Sequence, residues 1–338
     1  MTHRILPVLT LAAFAAISGA QVPTYTRAVP LPTELNSSVV PLNDSGSGTT
    51  SHAILALGQI FRLQENGDGS ASFGSSITST ARLAATSVAA RLDTTSPEFV
   101  ATGQLQRVYT ITPSGVAGLS SVPLGSIIPR SIGLGGGGSL VLAESQGGTG
   151  GLYTMGYPNV STSAPTLVFD STVSPTGGST PTPFGGSLTV ATGADGYLRL
   201  LDLGNSRLVR FDLSLLKSGD AGAYVDGFAL DPSKTSVNSM TVDAKGNVYV
   251  GDGLGGGTVY SRLGVVKGSF SPGAIVNDPM AATRVTHPDM NAYDDGFLDV
   301  VDATGYRQYT INAVPEPASL AALGLGALAM LKRRRANR

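Results

Sequence analysis

The 338 residues contain no cysteine, which excludes disulfides and any thiol nucleophile and leaves packing to hold the fold. Histidine is nearly absent as well, at three residues. Neither an HExxH nor a GxSxG segment occurs, so the usual zinc-protease and hydrolase signatures are missing. Charged residues make up only 13% of the chain, against ~25% in an ordinary globular protein. Glycine is in excess instead, at 44 residues, nearly twice the usual ~7%. Few solvated helical faces and many tight turns follow, which together favour β structure. The 41% apolar content suffices for a sizeable core.

The sparse charge is unevenly placed. Setting aside Arg4, Lys332, Arg333, Arg334, Arg335 and Arg338 from the 22 cations, and Glu316 from the 23 anions, leaves 16 against 22. The body between the two ends therefore carries about −6, which opposes binding to nucleic acid or to anionic lipid.

The first residues combine a short basic start ending at Arg4, a mainly apolar segment over residues 5–17, and the small residues Ser18, Gly19 and Ala20. That is the pattern of a secretory signal peptide, with cleavage expected after Ala20 by signal peptidase. His3 leaves with it, so His52 and His287 alone remain as bases or transition-metal ligands.

The last 25 residues are as distinctive. Val314, Pro315, Glu316 and Pro317 precede a charge-free apolar run over residues 318–331, which ends in Lys332, Arg333, Arg334 and Arg335. As a helix, the 14-residue run reaches ~21 Å, short of the ~30 Å hydrocarbon core of a bilayer. The four cations resist translocation and stay cytoplasmic, which puts everything upstream on the outer side. The two prolines stop the helix from extending upstream. An extended, singly charged tripeptide is thus held at the membrane surface. Tripeptide, apolar run and basic cluster, in that order at the very C-terminus, resemble the PEP-CTERM sorting signal of bacterial exported proteins. The resemblance implies recognition of Pro315, Glu316 and Pro317 by an exosortase-type membrane protease, and an association with exopolysaccharide.

Between the two ends the chain repeats. A short strand, a Gly-bearing turn and a second strand recur, most clearly over residues 197–213, 247–263 and 297–311, and less clearly over 54–63, 99–111 and 140–155. Ala56, Ala101, Ala143, Asp202, Asp252 and Asp302 mark equivalent points, at intervals of 45, 42, 59, 50 and 50 residues. β-branched and aromatic residues alternate with polar ones within the copies, as in Val248, Tyr249 and Val250. Asp195-Gly196 and Lys245-Gly246 supply hairpin turns. Blade-sized spacing of antiparallel units predicts an all-β, six-bladed β-propeller over residues 21–312, flanked by an N-terminal signal helix and a short C-terminal hydrophobic helix. The blade pattern at residues 196–212 and 246–260 resembles NHL- and SMP-30-like propellers.

Finer expectations follow. Residues 77–92 are the one stretch with helical character, and the Ser/Thr/Pro/Gly-rich residues 161–186 read as an enlarged loop between blades. The last repeat has room for only three strands, the first expected at residues 284–286. An open edge exposes backbone donors and acceptors, so residues 25–29 are predicted to pair antiparallel with residues 306–311 and latch the ring.

Chemistry-bearing motifs are few. Two GxGxxG matches, at residues 133–138 and 251–256, run into β segments rather than a helix and read as turn glycines. In the acidic segment 289–299, Asp289, Asn291, Asp295 and Asp299 alternate oxygen ligands around Gly296, as a Ca²⁺ loop requires, but with one residue too many for the standard register. A partial match at residues 64–69 lacks the first acidic ligand. The composite expectation is an exported surface or matrix propeller with a binding or structural role, without a cofactor other than this candidate Ca²⁺. The competing expectation is an SMP-30-like metal-dependent hydrolase or lactonase. It requires oxygen ligands from several blades at the axis, whereas Asp202, Asp252 and Asp302 sit where they would close turns.

Overall fold

The computed structural model describes residues 22, 24–30, 38–42, 51–56, 59–65, 71–76, 85–91, 98–103, 107–111, 120–135, 139–146, 149–156, 164–169, 184–185, 188–193, 195–216, 220–231, 239–243, 245–252, 256–271, 289–292, 297–302 and 305–311. Both terminal signals, with Ser18, Ala20, Val314, Pro315, Glu316, Pro317 and the Lys332 to Arg335 cluster, lie outside them.

The chain opens with β1 (Thr24–Pro30). The next strands are β2 (Ser38–Leu42), β3 (Ser51–Ala56), β4 (Gln59–Glu65) and β5 (Ala71–Ser76). Then come β6 (Ala85–Arg91), β7 (Glu98–Gly103), β8 (Arg107–Ile111) and β9 (Ser120–Pro123). They are followed by β10 (Pro129–Gly135), β11 (Ser139–Gln146), β12 (Thr149–Gly156) and β13 (Thr166–Phe169). The next sheet holds β14 (Leu188–Thr192), β15 (Tyr197–Asp202), β16 (Arg207–Asp212) and β17 (Tyr224–Ala229). After it run β18 (Met240–Val242), β19 (Val248–Gly251), β20 (Gly257–Tyr260) and β21 (Val266–Phe270). The last three are β22 (Asp289–Ala292), β23 (Phe297–Asp302) and β24 (Gly305–Thr310).

Among the described residues these strands form six four-stranded antiparallel sheets. Five are meanders in chain order, and the sixth has the order β1-β24-β23-β22. The first strands adjoin in a closed cycle, β2 to β6 to β10 to β14 to β18 to β22 and back to β2. The architecture is a β-propeller. Up-and-down alternation places the first hairpin turns, the turns between third and fourth strands, and the end of β24 at one end of the ring. The links that enter each first strand lie at the other end.

Cores form between neighbouring sheets, so the strands must be apolar on both faces. On β11, Leu140 and Leu142 pack with Val108 and Ile132 on one side, while Val141 and Ala143 pack with Leu198 and Phe211 on the other. On β15, Leu198 and Leu200 join that second cluster, and Leu201 joins Met240, Val248 and Tyr260 in the next. Tyr249, Val259, Phe270, Leu298, Val300 and Tyr309 fill the following gap, with the Phe270 and Tyr309 rings edge-on at 5.1 Å. Ser131 Oγ ties two first strands directly, accepting from Val190 N at 3.1 Å.

The latch is present. β1 pairs antiparallel with β24, with Thr24 opposite Thr310, Tyr25 opposite Tyr309 and Pro30 opposite Gly305, broken by one irregularity between Tyr25 and Arg27. Three other expectations are corrected. Residues 85–91 form a strand, β6, rather than a helix, because Ala85 and residues 87–91 pair with β7 as the first strand of a sheet. The stretch expected to be loop contains β13, which pairs with β12 and buries Phe169 against Phe211. The first strand of the last sheet is β22, downstream of the expected residues 284–286, which lie outside the described residues.

Candidate functional site

The hairpins between first and second strands are where carboxylates gather. Two are described, and they share one turn: Gly196 N and Gly246 N donate to Gly193 O and Asp243 O, with Gly196 at φ +81° and Gly246 at φ +79°. At Gly246 a side chain is excluded twice over. The positive φ disfavours it, and a Cβ would come within 2.6 Å of Asp195 Oδ2.

The two turns hold their carboxylates differently. In the first, Asp195 forms a two-pronged pair with Arg199, whose side chain is 1% exposed and donates also to Tyr197 O at 3.3 Å. Burial pushes the Asp195 carboxyl up, but the Arg199 guanidinium, by hydrogen bond and by charge, holds it below the usual carboxylate value. In the second, Asp243 accepts from Lys245 N, Asn247 N, Asn247 Nδ2 and Tyr249 OH at 2.8 to 3.0 Å. Burial, then the Asp243 carboxylate, drive the Tyr249 phenol far above its ordinary value, so it stays a neutral donor. Arg199 and Tyr249 occupy the same position, three residues beyond the turn glycine, and each is fully buried. Both carboxylates are therefore engaged by the chain's own donors.

Two of the recurrent aspartates at the ends of second strands, Asp202 and Asp252, close turns as expected. Asp202 is fully buried and accepts from Gly185 N, Asn205 Nδ2 and Arg207 Nε. Asp252 Oδ1 accepts from Gly256 N at 3.0 Å. These are turn closures.

The described ends of the acidic segment lie in the first two strands of the last sheet. Asp289 and Asn291 lie in β22 and Asp299 in β23, with Asn291 directly opposite Asp299 and Asp289 opposite Val301. Asp295 lies outside the described residues. Aligning Gly296 with Gly196 and Gly246 puts Asp299 at the position of Arg199 and Tyr249. Among the described residues no three His, Asp or Glu side chains gather as a metal set.

The buried Asp195–Arg199 and Asp243–Tyr249 pairs were not foreseen. Their signal is an arginine or tyrosine within an apolar strand, shortly after an acidic turn.

Comparison with known proteins bears on both halves of the chain. No curated protein matches it by sequence. The WD40 β-propeller domain of Doa1 superposes with a TM-score of 0.54 at 9% identity, over 87% of this chain and 98% of that one. Regucalcin from Agrobacterium tumefaciens, described as a calcium-binding protein, gives 0.52 at 14% identity, over 86% and 96%. A streptogramin B lyase gives 0.51 at 11% identity, over 87% and 100%. At such identities the likeness shows the fold alone. The tail is matched directly: residues 313–336, which begin three residues after the end of β24, are a PEP-CTERM protein-sorting motif.

Proposed function

We propose that the chain is an exported propeller in three parts: a signal peptide at residues 1–20, a body at 21–312 and a sorting tail at 313–338. The sorting motif at residues 313–336 carries this reading. Signal peptidase removes the first part. Lys332 to Arg335 then stop translocation, the apolar run holds the chain in the membrane, and an exosortase-type protease reads Pro315, Glu316 and Pro317. The body is delivered to the cell surface or its matrix, where a rigid ring with variable loops serves as a binding or structural element associated with extracellular polysaccharide. Replacing Pro315, Glu316 and Pro317 together by alanine should leave uncleaved chain in the membrane fraction. A variant processed like the parent would contradict the reading.

The last hairpin supports a second, smaller proposal. Asn291 lies opposite Asp299, with Asp289 two residues along β22, and Asp295 falls between the two strands in sequence, which supports this reading. We infer a calcium site of extracellular, millimolar affinity there. Adding Ca²⁺ should raise the melting temperature, and Asp299→Asn should remove that rise. An unchanged melting temperature and no heat in titration calorimetry at millimolar Ca²⁺ would dispose of it. The SMP-30-like hydrolase alternative requires ligands from at least three sheets on the axis, which a single hairpin does not provide.

A further inference from the structure

Among the described residues seven large apolar side chains are exposed; Leu167, Leu215 and Val225 lie at other sheets, and the other four, which include the three most exposed, lie together. Leu263, Val265 and Val266, at the β20–β21 turn, are 67%, 59% and 52% exposed, and Val22 is 42% exposed. They are neighbours: a Cβ added at Gly268 on β21 would run into the Val22 side chain. Val22 in turn lies two residues before Thr24, which pairs with Thr310 at the end of β24. The patch therefore sits beside the point where the tail leaves the propeller. The β20–β21 turn and the end of β24 are also at the same end of the ring by strand alternation. Arg262 and Lys267 flank the apolar residues, placing two cations there on a body that is otherwise net negative.

The tail sets how near the membrane this patch must be. From Ile311 to Ala318 the connection is seven residue steps, which at full extension reach at most about 25 Å. While the apolar run is in the bilayer, the rim around Ile311 cannot leave the membrane surface. Exposed aliphatic side chains flanked by cations are the composition that settles at a headgroup boundary. We propose that Leu263, Val265, Val266 and Val22, with Arg262 and Lys267, form a docking surface for the bilayer. In the tethered state it fixes the propeller with its first-hairpin end towards the membrane and its opposite end outward. This rests on the proposed membrane insertion of the tail.

Because the chain lacks cysteine, single labels test it cleanly. Residues 21–338 would be reconstituted into phosphatidylethanolamine and phosphatidylglycerol vesicles free of other protein. An environment-sensitive dye would be placed in turn at Leu263→Cys, Val266→Cys, Ser126→Cys on the far end, and Gly324→Cys in the tail. The expected result is a blue shift and quenching by shallow spin-labelled lipid at residues 263 and 266, deep quenching at 324, and neither at 126. Quenching at 324 without any at 263 and 266 would overturn the docking surface while leaving the tail inserted, and would point to a protein partner for the patch. No quenching at 324 would sink both. Equal quenching at 126 would replace a fixed orientation with a free leash.

Discussion

Removing residues 21–31 should lower the melting temperature of the body by roughly 10 °C or more and broaden its unfolding. The deletion takes β1 out of the sixth sheet and leaves β24 as an open edge where the N-terminal strand ties the last sheet to the start of the ring. Six residue pairs are lost between residues 24–30 and 305–310. At about 1 kcal/mol for each backbone hydrogen bond, a loss near 5 kcal/mol follows, and each kcal/mol is worth about 2–4 °C in a domain of this size. Tyr309 lies between β1 and the cluster around Phe270 and Val259, so the damage spreads into the neighbouring interface. Calorimetry of the deletion should show a lower, less cooperative transition. An unchanged transition would mean that β1 does not hold the ring shut.

Asp195→Ala should be nearly as damaging, at about 3–5 kcal/mol, because it strands the buried guanidinium of Arg199 with only Tyr197 O as acceptor among the described residues. The double change Asp195→Ala with Arg199→Leu should recover much of that loss, since an apolar side chain suits a site beside Val242 and the turn at Gly246. The pH dependence has a definite sign. The folded Asp195 carboxyl titrates below 3.8, so its contribution is complete above that value and is lost as pH falls through the lower, folded one. Urea midpoints taken between neutral pH and about pH 2 should therefore fall more steeply for the parent than for the double variant. Parallel curves, or a double variant no better than Asp195→Ala, would contradict a stabilising pair.

What the sequence made legible depended on how local its cause was. The sheet from β18 to β21 could be read strand by strand, because Lys245-Gly246 and the alternation around Val248 are local signals. The latch could be deduced because a missing fourth strand must be supplied from somewhere. β6 could not: Ala85, Ser87, Ala89 and Ala90 carry no strand preference, and only pairing with β7 and proximity to β2 and β10 decide their state. β13 was hidden in the same way among turn-forming residues. The sorting tail was fully legible because it acts as a linear signal. The carboxylate pairs were not, since Arg199 gains its meaning only when the next sheet closes over it.

The most direct test of the whole account is the intact mass of the mature protein recovered from the cell surface and from the medium. The account predicts a chain that begins at Gln21 and ends near Pro317, without the apolar run and without Lys332 to Arg335. A mature protein that still carries that basic cluster would contradict it.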